Sequence, residues 1–215
     1  EFNRGDNTGC AYFQMNQKRG KRWNATKAYL QPIRSRKNLT ILTKTLVHRV
    51  NVERKNSSLL AQSVTISSFD NAAKTTKICA QKEVILAAGA IGSAQILQLS
   101  GIGNAKNLAE VGIEVKVDLP GVGENLHDHL QLRSIYSVEN TETLNSKFNS
   151  LVGKLSMGLE YLLFKTGPLT MPPSQLGAFA RSHDSRSNSN LEWHVQPLSL
   201  DKFGSPLHTF DGITP

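Results

Sequence analysis

The residues best suited to chemistry lie in one short stretch, Ala87-Ala88-Gly89-Ala90, followed by Ser93. Small side chains let a backbone approach a ligand closely. If they close a strand and open a helix, the first free N–H groups of that helix are placed to receive an anionic group such as a phosphate. Spacing alone also fits a tight strand-to-helix turn in any α/β protein. Three other groups invite a chemical reading. His127-Asp128-His129 suggests a metal, but alternating side chains point to opposite faces and no third or fourth ligand is evident. No metal site is therefore expected. His194 beside Trp193 reads as a half-buried structural histidine, not a catalyst. The two cysteines, Cys10 and Cys79, are too few and too far apart to form a disulfide framework.

The elements that would position these residues can be read from hydrophobic periodicity. Val50 and Val52, then Val64 and Ile66, then Ile78 and Ala80 alternate with polar residues. Polar turns near Asn56 and Asp70 separate the runs, which predicts an antiparallel meander exposed on one face. A shorter strand is expected at Leu39 and Ile41. Val84-Ile85-Leu86-Ala87-Ala88 is short and continuously apolar, as in a strand buried on both faces. A helix capped by Ser93 should follow, stopped by Gly101 and Gly103. A second helix is expected over residues 105–111, then a strand through Ile113, Val115 and Val117. Upstream, residues 24–30 suggest a short helix with Ala25, Ala28 and Tyr29 turned inward, disrupted by Pro32. The texture changes near Leu130, and a loose amphipathic stretch covers residues 151–164. The fold class expected is α/β, or α+β overall, with a domain change near residue 130.

Composition narrows the classes. The 215 residues carry a formal charge of +8, with 39% hydrophobic and 20% charged residues, as in a globular protein. Basic residues concentrate early, in Lys18, Arg19, Lys21, Arg22, Lys27, Arg34, Arg36 and Lys37. They are interleaved with apolar positions, which fits a solvated face or help in holding an anionic cofactor or partner. No nucleic-acid-binding motif accompanies them, so no nucleic-acid partner is expected. No apolar run approaches the roughly 18 residues of a membrane span.

Several blocks, in order along nearly the whole chain, resemble the glucose–methanol–choline (GMC) oxidoreductases, closest to the choline-dehydrogenase-like branch. Ser93, Ile96, Leu97 and the closing Ser100-Gly101-Ile102-Gly103 match the family's second signature after Gly89; Ala94 stands where Pro or Ser is usual. Residues 22–30, the strand lead-in ending in Asn38-Leu39, the DLPGVGENL block at 118–126, Gly167-Pro168-Leu169 and residues 174–179 also resemble family segments.

The resemblance implies a partial Rossmann-like FAD-binding sheet interrupted by the antiparallel meander, over residues 1–130 with an irregular lead-in at 1–30. Part of an antiparallel-sheet substrate domain would occupy residues 131–215. It implies FAD as cofactor, a small-molecule alcohol as substrate, hydride transfer to the flavin, and oxygen or a quinone as electron acceptor. Val47 matches the position whose backbone binds the adenine, although ordinary strand packing fits it equally well. Ala88 and Gly89 match the turn beside the ADP half of FAD. Asn125 and Asp128 are expected to fix their loop by hydrogen bonds. A G-x-G-x-x-G turn and the family's catalytic His are not found in these residues. The chain thus reads as an internal piece of a longer enzyme, with no catalytic residue of its own, inactive alone and not expected to retain flavin. The alternative is a truncated, non-catalytic flavin-domain remnant.

Overall fold

The computed structural model describes residues 2–202 and 204–215. It is a mixed helix-and-strand structure built mostly on antiparallel sheets. The chain divides into two compact units, Thr40–Leu130 and the flanking stretches up to Leu39 and from Gln131 onward. The leading stretch supplies β1 (Gly9–Tyr12) and a tight hairpin of β2 (Gln17–Lys18) and β3 (Lys21–Arg22). Arg19 and Gly20, with φ of 52° and 67°, form the two-residue turn that matches strand twist. Next comes a single helical turn at Thr26–Leu30, then a 3₁₀ turn at Gln31–Ile33 started by Pro32. Tyr29 is 76% exposed, so the inward-facing helix expected here is not formed. A single turn is too short to bury a face.

The Thr40–Leu130 unit opens with the meander: β4 (Thr45–Lys55), β5 (Ser58–Ser68) and β6 (Asn71–Cys79), in the order β4-β5-β6. Asn56 turns the first corner with φ 55°. No strand forms at Leu39 or Ile41. α1 (Gly89–Leu99) follows and packs against β4. Then come β7 (Ile102–Gly103), α2 (Ala105–Glu110) and β8 (Val117–Asp118); β7 and β8 pair in parallel. Asn104 caps α2 through Asn107 N–H, and Asp118 accepts a hydrogen bond from Ala105 N–H at 3.0 Å. The expected strand at residues 84–88 is not paired with any described strand, and Ile85 is 79% exposed. A strand exists only with a partner for its N–H and C=O groups; an apolar sequence cannot supply one.

The other unit resumes with β9 (Tyr136–Ser137), α3 (Leu144–Asn149) and α4 (Leu151–Phe164). Ser150 ends α3 and caps α4, its hydroxyl accepting from Gly153 N–H. The hairpin of β10 (Leu176–Ala180) and β11 (Leu191–Val195) adds β1 on its other edge, pairing Tyr12 with Leu176. Phe2, Phe13 and Phe179 cluster on this sheet, and Phe13 stacks on His194 at 4.7 Å. β12 (Gly212–Ile213) returns to β9.

Asp211, just before β12, accepts from both the N–H and the hydroxyl of Thr143, at 2.8 and 2.7 Å. The Thr143 hydroxyl, seconded by its backbone N–H, holds the Asp211 carboxyl below the ordinary carboxylate range. A lowered folded-state pKa gives stability that is present above the unfolded-state value and lost as pH falls through the folded one. The clasp should therefore open below about pH 4. Asp211→Asn should flatten that part of the acid-unfolding curve, followed by amide exchange at Thr143; an unchanged acid limb would contradict the assignment.

Candidate functional site: the start of α1 and the outer edge of the meander

Ala88 and Gly89 stand at the N-terminus of α1, whose cap lies five residues before the expected one at Ser93. Ala88 is the N-cap, and no side chain caps the first N–H groups of the helix. Ser93 does not start the helix. It sits one turn in and its hydroxyl accepts from Ala88 N–H at 3.1 Å, holding the entering backbone from behind. Gly89 has φ 83°, a conformation that L side chains rarely adopt, and a Cβ built there would meet nothing within 4 Å. Among the described residues the first N–H groups of the helix thus have no side-chain cap, and an uncapped helix start is suited to receive an anion. Ile91 beside it is 74% exposed.

The far end of α1 is locked. Ser100 is buried, and its hydroxyl accepts from Val50 N–H of β4 at 2.8 Å. Gly101, with φ 82°, lies so close to the next segment that a Cβ would fall 2.4 Å from Glu114 O. Gly101 O in turn accepts from Lys116 and Val117 N–H. Gln98 reaches Val122 O, tying the 118–126 block back to the helix. The Ser-Gly-Ile-Gly ending thus exists to pin α1 to β4 and to the strand that follows.

Val47 lies in β4, the outer strand of the meander. Because Val50 N–H goes to Ser100, the Val50 backbone faces away from β5, and that of its partner Val64 faces β6. Backbone groups alternate along a strand, so Thr65 faces β4 and Ile66 faces β6. Val47 pairs with Ile66, so its N–H and C=O also face the outer edge. Strict alternation from Val50 would turn Val47 inward. One extra residue in β4, His48, lies between the pairs Val47–Ile66 and Arg49–Thr65 and resets the alternation. The periodicity reading missed this bulge, though the three-residue spacing from Val47 to Val50 is its trace.

Other candidates separate from this site in character. Asn125 adopts φ 55°, while Asp128 accepts from the N–H of His129, a local contact. Among the described residues no group of three or more His, Cys, Asp or Glu side chains is placed to hold a metal. His194 is exposed and not half-buried as expected, because it lies on β11, the outer strand of its sheet; it bonds Glu192 at 2.8 Å and stacks on Phe13.

Residues 1–131 match the family model described as GMC oxidoreductase. The chain belongs to the GMC oxidoreductase family. Curated members it resembles include the oxygen-dependent choline dehydrogenase of Staphylococcus xylosus, 35% identical over 89% of this chain and 33% of that protein. The mitochondrial choline dehydrogenase of Homo sapiens is 38% identical over 91% of this chain and 32% of that protein. The chain thus spans about a third of the length of these relatives. Among solved structures, an FAD-dependent oxidoreductase from Chaetomium thermophilum superposes with a TM-score of 0.72 at 29% identity, over 82% of this chain and 30% of that one.

Proposed function

We propose that the complete protein is an FAD-dependent oxidoreductase that oxidises the CH–OH group of a small alcohol, and that this chain supplies part of the cofactor cradle. The observation that carries the reading is the uncapped start of α1 at Ala88 and Gly89 in a chain of this family. Residues 1–130 would form part of the FAD-binding domain and residues 131–215 part of the substrate domain, with the stretch up to Leu39 lending β1 to the β10–β11 sheet of the latter. The residues present fit the cofactor. A Cβ at Gly89 would enter open space, so the backbone is accessible to a ligand; the free N–H groups suit a diphosphate.

In this proposal Gly89 and Ala88 bring backbone close to the ADP half of FAD, and Val47 presents its outward N–H and C=O to the adenine. Bound FAD supplies the hydride-accepting chemistry. No residue of this chain is assigned to the reacting alcohol; these groups bind and orient. Gly89→Val should weaken FAD binding at least roughly tenfold, since a β-branched residue both resists φ 83° and fills the approach. Parent-like affinity in that variant would remove Gly89 from the cradle. Substrate and acceptor are tested on the complete polypeptide with a panel of small alcohols, choline included, using an artificial electron acceptor and then oxygen or a quinone. The proposal expects alcohol-dependent turnover with the artificial acceptor, and the natural acceptor is the one that sustains it; no turnover with any alcohol would overturn the activity.

A further inference from the structure

We propose that His48 and Ser67 form a latch that holds the β4 bulge and so keeps the Val47 backbone turned toward the cofactor; this rests on the reading of Val47 as an adenine contact. His48 is the extra residue of the bulge. Its Nε2 lies 2.7 Å from Ser67 Oγ, and Ser67 is only 3% exposed. Ser67 pairs with Leu46, one position before Val47. The bond therefore spans the bulge from the extra residue to the strand segment beyond it. A bulge is an interrupted ladder, and without a clamp the strand can slip by one residue. Such a slip restores strict alternation and turns the Val47 N–H and C=O inward, toward β5. The latch sits on the opposite face from Val47, Val50, Val64 and Ile66. A neighbouring pair of polar contacts, Asn51 to Ser63 and Thr65 at 2.9 Å, fixes the ladder on the other side of the bulge. His48 and Ser67 are thus positioning residues that act through Val47.

The test uses the complete FAD-containing protein, its apo form, and free FAD. Amide exchange at Val47 in the parent should slow when FAD binds. Ser67→Ala and His48→Phe should each weaken FAD binding roughly five- to tenfold, the loss expected for one buried hydrogen bond. Ser67→Thr, which keeps the hydroxyl, should bind like the parent. Amide exchange at Val47 in the apo form should slow in His48→Phe, because the slip turns that N–H toward β5, whereas a merely structural loss of stability would speed it. No FAD-dependent protection at Val47 in the parent would remove the adenine reading itself. Protection at Val47 together with parent-like FAD affinity in both Ser67→Ala and His48→Phe would overturn the latch and leave that reading intact. If Ser67→Ala does not fold, His48→Phe, which keeps the ring and loses the bond, decides the matter alone.

Discussion

Gly101→Ala is expected to raise amide exchange through α1 and the centre of β4, with a loss of roughly 2–4 kcal/mol of local stability. Two costs combine. At φ 82° an L side chain is strained by about 1 kcal/mol. The added Cβ would also stand 2.4 Å from Glu114 O and 2.9 Å from Lys116 Cγ. The first of these is backbone, held by the hydrogen bonds of Lys116 and Val117 N–H to Gly101 O, so it cannot swing aside. Relief requires the 114–117 segment to move away, which breaks those bonds and loosens the Ser100 grip on Val50. Gly112 is the control. It has φ 74° but nothing within 4 Å of a built Cβ, so Gly112→Ala should cost only the strain of about 1 kcal/mol. Equal effects at both glycines would mean that close packing contributes nothing at Gly101.

Asn145→Asp is expected to be the most damaging isosteric change outside the Thr40–Leu130 unit, at roughly 3–5 kcal/mol. Asn145 has no exposed surface. Its amide nitrogen faces Ser199 O, Ser199 Oγ and His208 O at 2.9–3.1 Å, and its Oδ1 accepts from Ser199 N–H at 2.8 Å. A carboxylate keeps the last bond but sets a second acceptor against two carbonyl oxygens, at a position with no exposed surface. Asn149 also donates to His208 O, at 2.8 Å, but it is exposed. Asn149→Ala should therefore cost about 1 kcal/mol or less. Urea unfolding followed by exchange at Ser199 N–H measures both. Comparable losses in the two variants would show that burial of Asn145 does not set its contribution.

The parts of this fold that could be read in advance are those with a local period. Val50, Val52, Val64 and Ile66 marked the meander because each strand finds its partner across a short turn. Leu97, Leu99 and the Gly101 stop marked α1, and residues 151–164 marked α4. Features that depend on distant partners left no such mark. β1 pairs with β10 more than 160 residues later, and nothing near Gly9 announces it. Asn145 and Ser199 are polar, yet they are the most deeply buried side chains described, because the hydrogen bonds between them and to His208 O satisfy them there. The segment at 84–88 misled in the opposite sense, being apolar enough for a buried strand but unpaired.

For the candidate site, residue identities were legible and roles were not. Ala88 and Gly89 stood out as small residues at a turn, but the positive φ and the open approach are geometric facts. Val47 was chosen by resemblance alone. The structure adds the bulge at His48, which turns its backbone outward.

Whether this chain builds part of an FAD cradle for alcohol oxidation is decided on the complete polypeptide. Its FAD content is measured after purification, and its visible flavin band is then followed anaerobically as small alcohols are added. About one FAD per chain is expected, with bleaching of the band by at least one alcohol. A colourless protein that takes up no added FAD, or bound FAD that no alcohol reduces, would contradict it.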